Sequence, residues 1–222
     1  MPKKYLRVPE LIVGFDTETT GLDVASERAI SYGFCAYHYG NPEWSEQFYV
    51  LPDRPIAAAA ARVHGLSVES IEARRTTHTV LSVQSGLVRA VEILRRYQQQ
   101  GASIVGANVV RFDLEMLRRS YESVLGKSLH DEGFDLSLLS IIDVVEHDLA
   151  IDPSREDRPR RGLPYLCKYY GVASGGHDAL GDARATVEVF IEQVIRNNAG
   201  QMPLDLEFSP RRNNPSVEVL KP

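Results

Sequence analysis

The apolar positions of this chain follow two periods, and the change from one to the other marks out its elements. Leu11-Ile12-Val13-Gly14-Phe15 is an unbroken apolar run, the pattern of a strand buried on both faces. Arg28 to Tyr39 is rich in aromatic and β-branched residues, and Trp44 to Leu51 is a second such run. Gly40-Asn41-Pro42 lies between them, which predicts a turn and a hairpin extending the sheet of the first strand; Pro52 and Pro55 end it. Ile56 to Val63 is alanine-rich and predicts a helix broken by His64-Gly65-Leu66-Ser67. Helical spacing of Val80, Val83, Leu87, Val91 and Leu94 predicts an amphipathic helix over 80–97, ended by Gly101.

Ala102 to Ala107 then reads as a short buried strand, and 112–125 as a helix with Phe112, Met116, Leu117 and Tyr121 on one face, ended by Gly126. Leu136 to Leu149 is apolar, with a beginning that fits strand or helix. Arg155 to Gly162 is charged and proline-containing and predicts a loop. Leu163 to Tyr170 predicts a short helix closed by Gly171, and Asp178 to Asn197 a long amphipathic one. Strands first, then helices interleaved with strands, predict an α/β fold: a mixed β-sheet flanked by helices. That domain occupies 1–197. Residues 198–222 contain four prolines and no periodicity, and predict an extended or disordered tail.

Composition adds exclusions. Of 222 residues, 43% are hydrophobic and 25% charged, a soluble globular balance. The longest apolar runs are too short to span a membrane, and Met1 to Tyr5 leads into no signal-peptide pattern, so a cytoplasmic protein is expected. Cys35 and Cys167 lie far apart, which excludes a zinc ribbon or a disulfide framework. The net charge of −5 argues against gripping nucleic acid through a global positive field. It leaves room for a nucleic-acid enzyme whose acidic site is neutralised by bound cations.

Candidate chemistry lies in the acids. Asp16 and Glu18 close the first strand, and alternation puts both on one face. At ~4 Å two such charges repel by about 4 kcal/mol for an effective dielectric near 20. Either one is protonated or a cation sits with them. Asp113 opens the helix after the strand 102–107, and Asp182 lies in the first turns of the last helix. His177 precedes Asp182 by five positions, about 140° apart on an ideal helix, so the two converge only if His177 sits on the loop Ser174-Gly175-Gly176. Four acids and one histidine suit two divalent ions of the magnesium or manganese type better than zinc. Such a pair would bind the attacking and leaving oxygens of a phosphodiester, with His177 taking the proton from water.

Phe15 to Leu22, Asn108 to Asp113, and His177-Asp178-Ala179-Leu180-Gly181-Asp182 together resemble the three motifs of the DEDD exonucleases, with the histidine of the DEDDh branch. Val63-His64-Gly65-Leu66 is similar to that family's turn beside the terminal nucleotide. The resemblance implies a ribonuclease H-like fold and metal-dependent 3′–5′ release of nucleoside 5′-monophosphates from DNA ends. It implies two Mg2+ or Mn2+ ions per active site on Asp16, Glu18, Asp113 and Asp182, with His177 as base. It also implies substrate contacts at Glu18, Thr19, Leu22, His64 and Asn108. Single-stranded DNA or frayed 3′ ends would be bound, and any proofreading would need a separate polymerase. Five positions separate Asn108 from Asp113, where the family more often has four, which predicts a bulge; Asp131 and Asp135 are the other acids nearby.

Plainer readings stand beside these. His64 also reads as a turn histidine, Asn108 as the cap of the following helix, and Asp143 as a helix-surface acid, the alternative being an acid that supports the cluster from behind. Arg158, Arg160 and Arg161 read as a solvated charge run, the alternative being phosphate contacts. Residues 201–208 loosely resemble sliding-clamp-binding peptides. Two further functions remain: ribonuclease T-like trimming of RNA, and a catalytically silent nucleic-acid-binding module of the same fold.

Overall fold

The computed structural model describes residues 6–152 and 162–199. The expected loop at Arg155 and the arginines at 158, 160 and 161 fall outside these, as do residues 200–222 with the clamp-like peptide. The strands are β1 (Leu11–Thr19), β2 (Ala29–His38), β3 (Asn41–Val50), β4 (Thr79–Leu81), β5 (Ser103–Gly106) and β6 (Ser140–Asp143). The helices are α1 (Ala58–His64), α2 (Val68–Ala73), α3 (Val83–Gln99), α4 (Asp113–Leu125), α5 (Val144–Ile151), α6 (Leu163–Tyr170) and α7 (Ala179–Asn198).

The doubly apolar β1 sits inside the sheet, whose order is β4-β3-β2-β1-β5-β6. It pairs antiparallel with β2 and parallel with β5, and β6 continues the parallel side. Val13 and Phe15 face one core with Leu87, Leu94, Leu114 and Leu117 of α3 and α4. Ile12, on the other face, joins a second core with Leu166 of α6 and Val187 and Phe190 of α7. The sheet is therefore mixed and covered by helices on both faces, as the sequence pattern predicts.

Several boundaries differ from expectation. The β2–β3 turn is Tyr39-Gly40, both in the left-handed region (φ 48° and 76°), so β3 already begins at Asn41 and carries Pro42 at a register shift. Val80 belongs to the three-residue β4 rather than to a helix, because Ser82 accepts a hydrogen bond from the Ser85 amide and starts α3 at Val83. The stretch from Leu136 resolves into a 3₁₀ turn, β6 and then α5. Helix α2 was missed; its capping box pairs Ser67 with Ser70, without the Glu or Gln that usually signals one. The last helix extends to Asn198, one residue past the predicted domain end.

One packing contact fixes where the site forms. Helix α7 crosses β1 and β2 at positions occupied by glycine. A Cβ on Gly33 would lie 2.2 Å from the Ala179 carbonyl carbon, and one on Gly14 would lie 2.4 Å from the Ala183 carbonyl oxygen. These neighbours are helix backbone, which cannot rotate aside. Gln47 on β3 holds the same helix end by donating from Nε2 to Asp178 Oδ1 at 2.7 Å. Gly33→Ala is expected to destabilise the protein by about 1–3 kcal/mol, the usual range for overpacking, in urea unfolding followed by circular dichroism. An unchanged midpoint would mean that α7 does not depend on this close approach.

Candidate active site

Four chain segments meet where β1 ends. Asp16, Thr17 and Glu18 come from β1, whose register with β2 shifts between Glu18 and Thr19. Asp113 is the first residue of α4 and is buried; its Oδ1 accepts the Thr17 hydroxyl at 2.6 Å. Asp182 lies in the first turn of α7, whose N-cap is Asp178. His177 stands just outside that helix with φ 60°, as its loop placement predicts, and its Nδ1 lies 4.0 Å from Asp182 Oδ2. The backbone at His177 and Gly175 opposes the rise in proton affinity of the Asp182 carboxylate. Gly175 lies so close that a Cβ there would fall 2.1 Å from the Asp182 amide nitrogen. Glu18, His177 and Asp182 each offer a ligand atom, all within 4.8 Å of one another.

The second motif contains the predicted irregularity. Asn108 adopts φ 59°, and its carbonyl accepts from the amides of both Arg111 and Phe112, so the extra residue is absorbed in a turn. This overturns the reading of Asn108 as a helix cap: Phe112 holds the cap position, without a side-chain hydrogen bond. Asp113 thereby reaches the acids, while Asp131 and Asp135 cap local turns at Ser128 and Ser137. Asp143 ends β6, accepts from the Val145 amide, and raises the proton affinity of Asp113. It is therefore a neighbour of the acid cluster rather than a surface acid.

The resulting cleft of about 550 Å³ is lined by Asp16, Glu18, Asp113, Asp182 and His177, with Leu22, Asn108 and Arg111 among the remaining walls. Leu22 projects from it, 84% exposed. Thr19 lies beneath, its hydroxyl donating to the Gly21 carbonyl at 2.7 Å. His64 has both ring nitrogens within bonding reach of backbone: Nδ1 accepts from Leu66 N at 2.9 Å, so Nε2 donates to the Thr19 carbonyl at 3.1 Å. The turn reading of His64 thus accounts for both of its ring nitrogens. Sequence reasoning passed over Thr17, Gln47, Asp178 and Arg111. Alternation along β1 could have flagged Thr17, and the extra position in the second motif could have flagged Arg111.

Electrostatics set the chemistry. Burial, followed by the charges of Asp113, Asp182 and Glu18, pushes Asp16 well above the usual carboxylate range. Burial and then Asp182, Asp178 and Asp113 push Glu18 up to about 8. Burial raises Asp113 despite the Thr17 hydrogen bond, and raises Asp182 despite the opposing pull of His177. Among the described residues, no lysine or arginine pairs with these four acids; their one ion-pair partner is His177. Closely spaced hard oxygen donors lacking a counter-charge fit divalent cations that prefer oxygen, with waters completing the shell.

Residues 13–190 match the exonuclease family of the ribonuclease T type. The chain belongs to this exonuclease family. A DNA polymerase III subunit epsilon-like protein of Rhodobacter capsulatus is 31% identical over 194 residues, covering 81% of this chain and 23% of its own length. The DNA polymerase III subunit epsilon of Rickettsia conorii is 28% identical over 184 residues, covering 80% and 70% respectively. The zinc-ion-bound form of an E. coli exonuclease I–ssDNA complex shares the fold with a TM-score of 0.69 at 20% identity, covering 87% of this chain and 42% of that one. The exonuclease chain thus spans less than a quarter of the Rhodobacter relative and under half of the E. coli one. The family match bears out the DEDDh resemblance, and the shared architecture bears out the ribonuclease H-like fold. No described helix is long and apolar enough to cross a membrane.

The raised acids carry a stability signature. Each binds its proton more tightly folded than unfolded; for Glu18 the window runs from 4.5 to about 8. Within it the folded state holds more protons, so stability falls as pH rises, and cations that bind only the folded acids offset the loss. The metal-free protein is expected to melt lower at pH 8 than at pH 5, and Mg2+ or Mn2+ to raise Tm more at pH 8. A scanning-fluorimetry series with EDTA checks this. A Tm independent of pH and metal would contradict the clustering of these acids.

Proposed function

We propose that this chain is a metal-dependent 3′–5′ exonuclease that releases nucleoside 5′-monophosphates from single-stranded or frayed DNA 3′ ends. The observation that carries the reading is the convergence of Asp16, Glu18, Asp113 and Asp182, all with raised proton affinity, on one open cleft beside His177. These four would hold two Mg2+ or Mn2+ ions, which when bound supply charge neutralisation and an acidified water for phosphodiester hydrolysis.

The chain's own residues do the rest. His177 takes the proton of the attacking water; its exposed ring lies 4.0 Å from Asp182. Water adds to phosphorus, the bond to the 3′ oxygen of the preceding nucleotide breaks, and that oxygen takes a proton from solvent, so the shortened strand ends in a 3′ hydroxyl. Leu22 stands at the cleft edge to pack against the terminal base, and Glu18 and Asn108 line the pocket for the terminal nucleotide. Thr19 and His64 shape the wall behind it through their hydrogen bonds. DNA is favoured over RNA because the relatives are named as DNA polymerase III subunits and the structural neighbour is an ssDNA complex. Those names also make a separate replicative polymerase the partner to test.

A 5′-labelled oligonucleotide incubated with Mg2+, Mn2+ or EDTA and resolved on a denaturing gel tests the reading. A metal-dependent ladder shortening from the 3′ end is expected, faster on DNA than on RNA. Asp16→Ala or Asp182→Ala is expected to reduce turnover to background. His177→Ala should keep metal binding and lose roughly 10²–10⁴-fold in rate, the range of a general base. An active His177→Ala would move the base elsewhere. Oligonucleotide binding with no shortening would favour the silent binding module.

A further inference from the structure

Resting on the exonuclease reading, we propose that Arg111 is a phosphate clamp: its guanidinium holds an internucleotide phosphate of the incoming strand on the 5′ side of the scissile bond. Among the described residues lining the cleft, Arg111 is the one permanent cation, set against four carboxylates. A polyanion approaching this cleft meets a repulsive field, so a fixed positive group at the rim has a role that the acids cannot fill.

The position of the side chain selects the phosphate. Arg111 makes no ion pair with Asp16, Glu18, Asp113 or Asp182; its ion-pair partner is Glu146 of α5, at 3.7 Å. A group aimed at the scissile phosphate would lie beside the acids that hold the reacting centre. Arg111 instead stands outside them, toward α5; a strand cut one nucleotide from its 3′ end has all its other phosphates on the 5′ side of the scissile bond, so a phosphate held here lies on that side. The Glu146 contact is long, and the two side chains are 85% and 60% exposed. Such a pair is weak in water and exchanges readily for a phosphodiester, which a guanidinium can bind with two parallel hydrogen bonds.

The backbone under Arg111 is built to hold it there. Asn108 turns the chain through a left-handed conformation, and its carbonyl accepts the Arg111 and Phe112 amides. Val109 is fully buried in the core formed with α3 and α4, and its carbonyl accepts the Leu114 amide. The turn is pinned from below while Arg111 stays in solvent. This is also the segment lengthened by one residue between Asn108 and Asp113, so the clamp belongs to this chain's departure from the usual motif.

The test uses the full chain and single-stranded DNA oligonucleotides in which one linkage at a time is an uncharged methylphosphonate. For the wild type, neutralising one of the two linkages 5′ of the scissile bond is expected to raise KM about tenfold. Arg111→Ala is expected to show a similar KM increase on ordinary DNA, with the loss on KM rather than kcat, and no further loss at that linkage. Its salt dependence should be shallower by about 0.7 in the logarithmic slope, one single-strand phosphate. Arg111→Lys should recover part of the affinity, and Glu146→Gln, which frees the guanidinium, should bind at least as tightly as wild type. Equal sensitivity of wild type and Arg111→Ala to every neutral linkage would overturn the clamp. So would a loss confined to kcat, or a Glu146→Gln protein as impaired as Arg111→Ala, which would make the pair structural. Failure of the wild type to shorten plain DNA would instead overturn the exonuclease reading, and anisotropy binding in Ca2+ would still score the linkage effect.

Discussion

The constraint on which the rest of this structure depends is the mutual repulsion of four carboxylates held in partial isolation from water. Acids with raised proton affinity destabilise a fold at neutral pH unless something answers their charge. The chain answers with little of its own: backbone hydrogen bonds at Asp182, the Thr17 hydroxyl at Asp113, and one histidine. The stability lost at the cluster is supplied elsewhere, by two apolar cores that cover both faces of the sheet. The fold thus keeps a charge imbalance in place, one that the proposed cations would complete. A binding module would gain nothing from that arrangement, which is why the imbalance argues for catalysis.

Bringing the acids together requires one long-range contact above all. Asp16 and Glu18 come as a pair because they alternate along one strand, but Asp182 arrives from about 160 residues later in the sequence. Its approach depends on α7 lying directly on the backbone of β1 and β2, where Gly14 and Gly33 leave no side chain between them. Gln47 then fixes the end of the helix through the Asp178 cap. The glycines and the cap serve one purpose from two directions: closeness of approach, and rotation of the first turn. Asp113 reaches the cluster by a different device, a helix start displaced by the turn at Asn108.

Much of this could be read from the residues, for identifiable reasons. Elements with strong periodicity, such as β1, α3, α4 and α7, were predicted close to their bounds because their apolar faces are long enough to be unambiguous. The short ones were not. Three-residue β4 carries Val80, which fits a strand as well as the helical series that follows, and only the Ser82 cap separates them. At the site, the acids and His177 could be read because the chemistry restricts residue type at each position. Gln47 could not, since its role depends on which surfaces the fold turns toward each other, and Arg111 was signalled only by the extra position of the second motif. Asp143 shows the same limit: nothing in its neighbours in sequence says that β6 ends beside Asp113.

The distribution of exposure within the site follows from the proposed chemistry. Asp113 is almost wholly buried at 3% and Glu18 nearly so at 9%, whereas the His177 side chain is 49% exposed. Groups that hold cations need a geometry set by strands and helix starts, and burial lowers the dielectric through which they act. A base must return its proton to solvent in every cycle, and a buried imidazole would have no route for it. The loop Ser174-Gly175-Gly176 and the left-handed backbone of His177 meet both needs. Gly175 packs tightly against the start of α7, which anchors the loop at Asp182, while the ring itself stays at the cleft mouth. His177 is therefore tied to the acid cluster through its backbone and to water through its side chain.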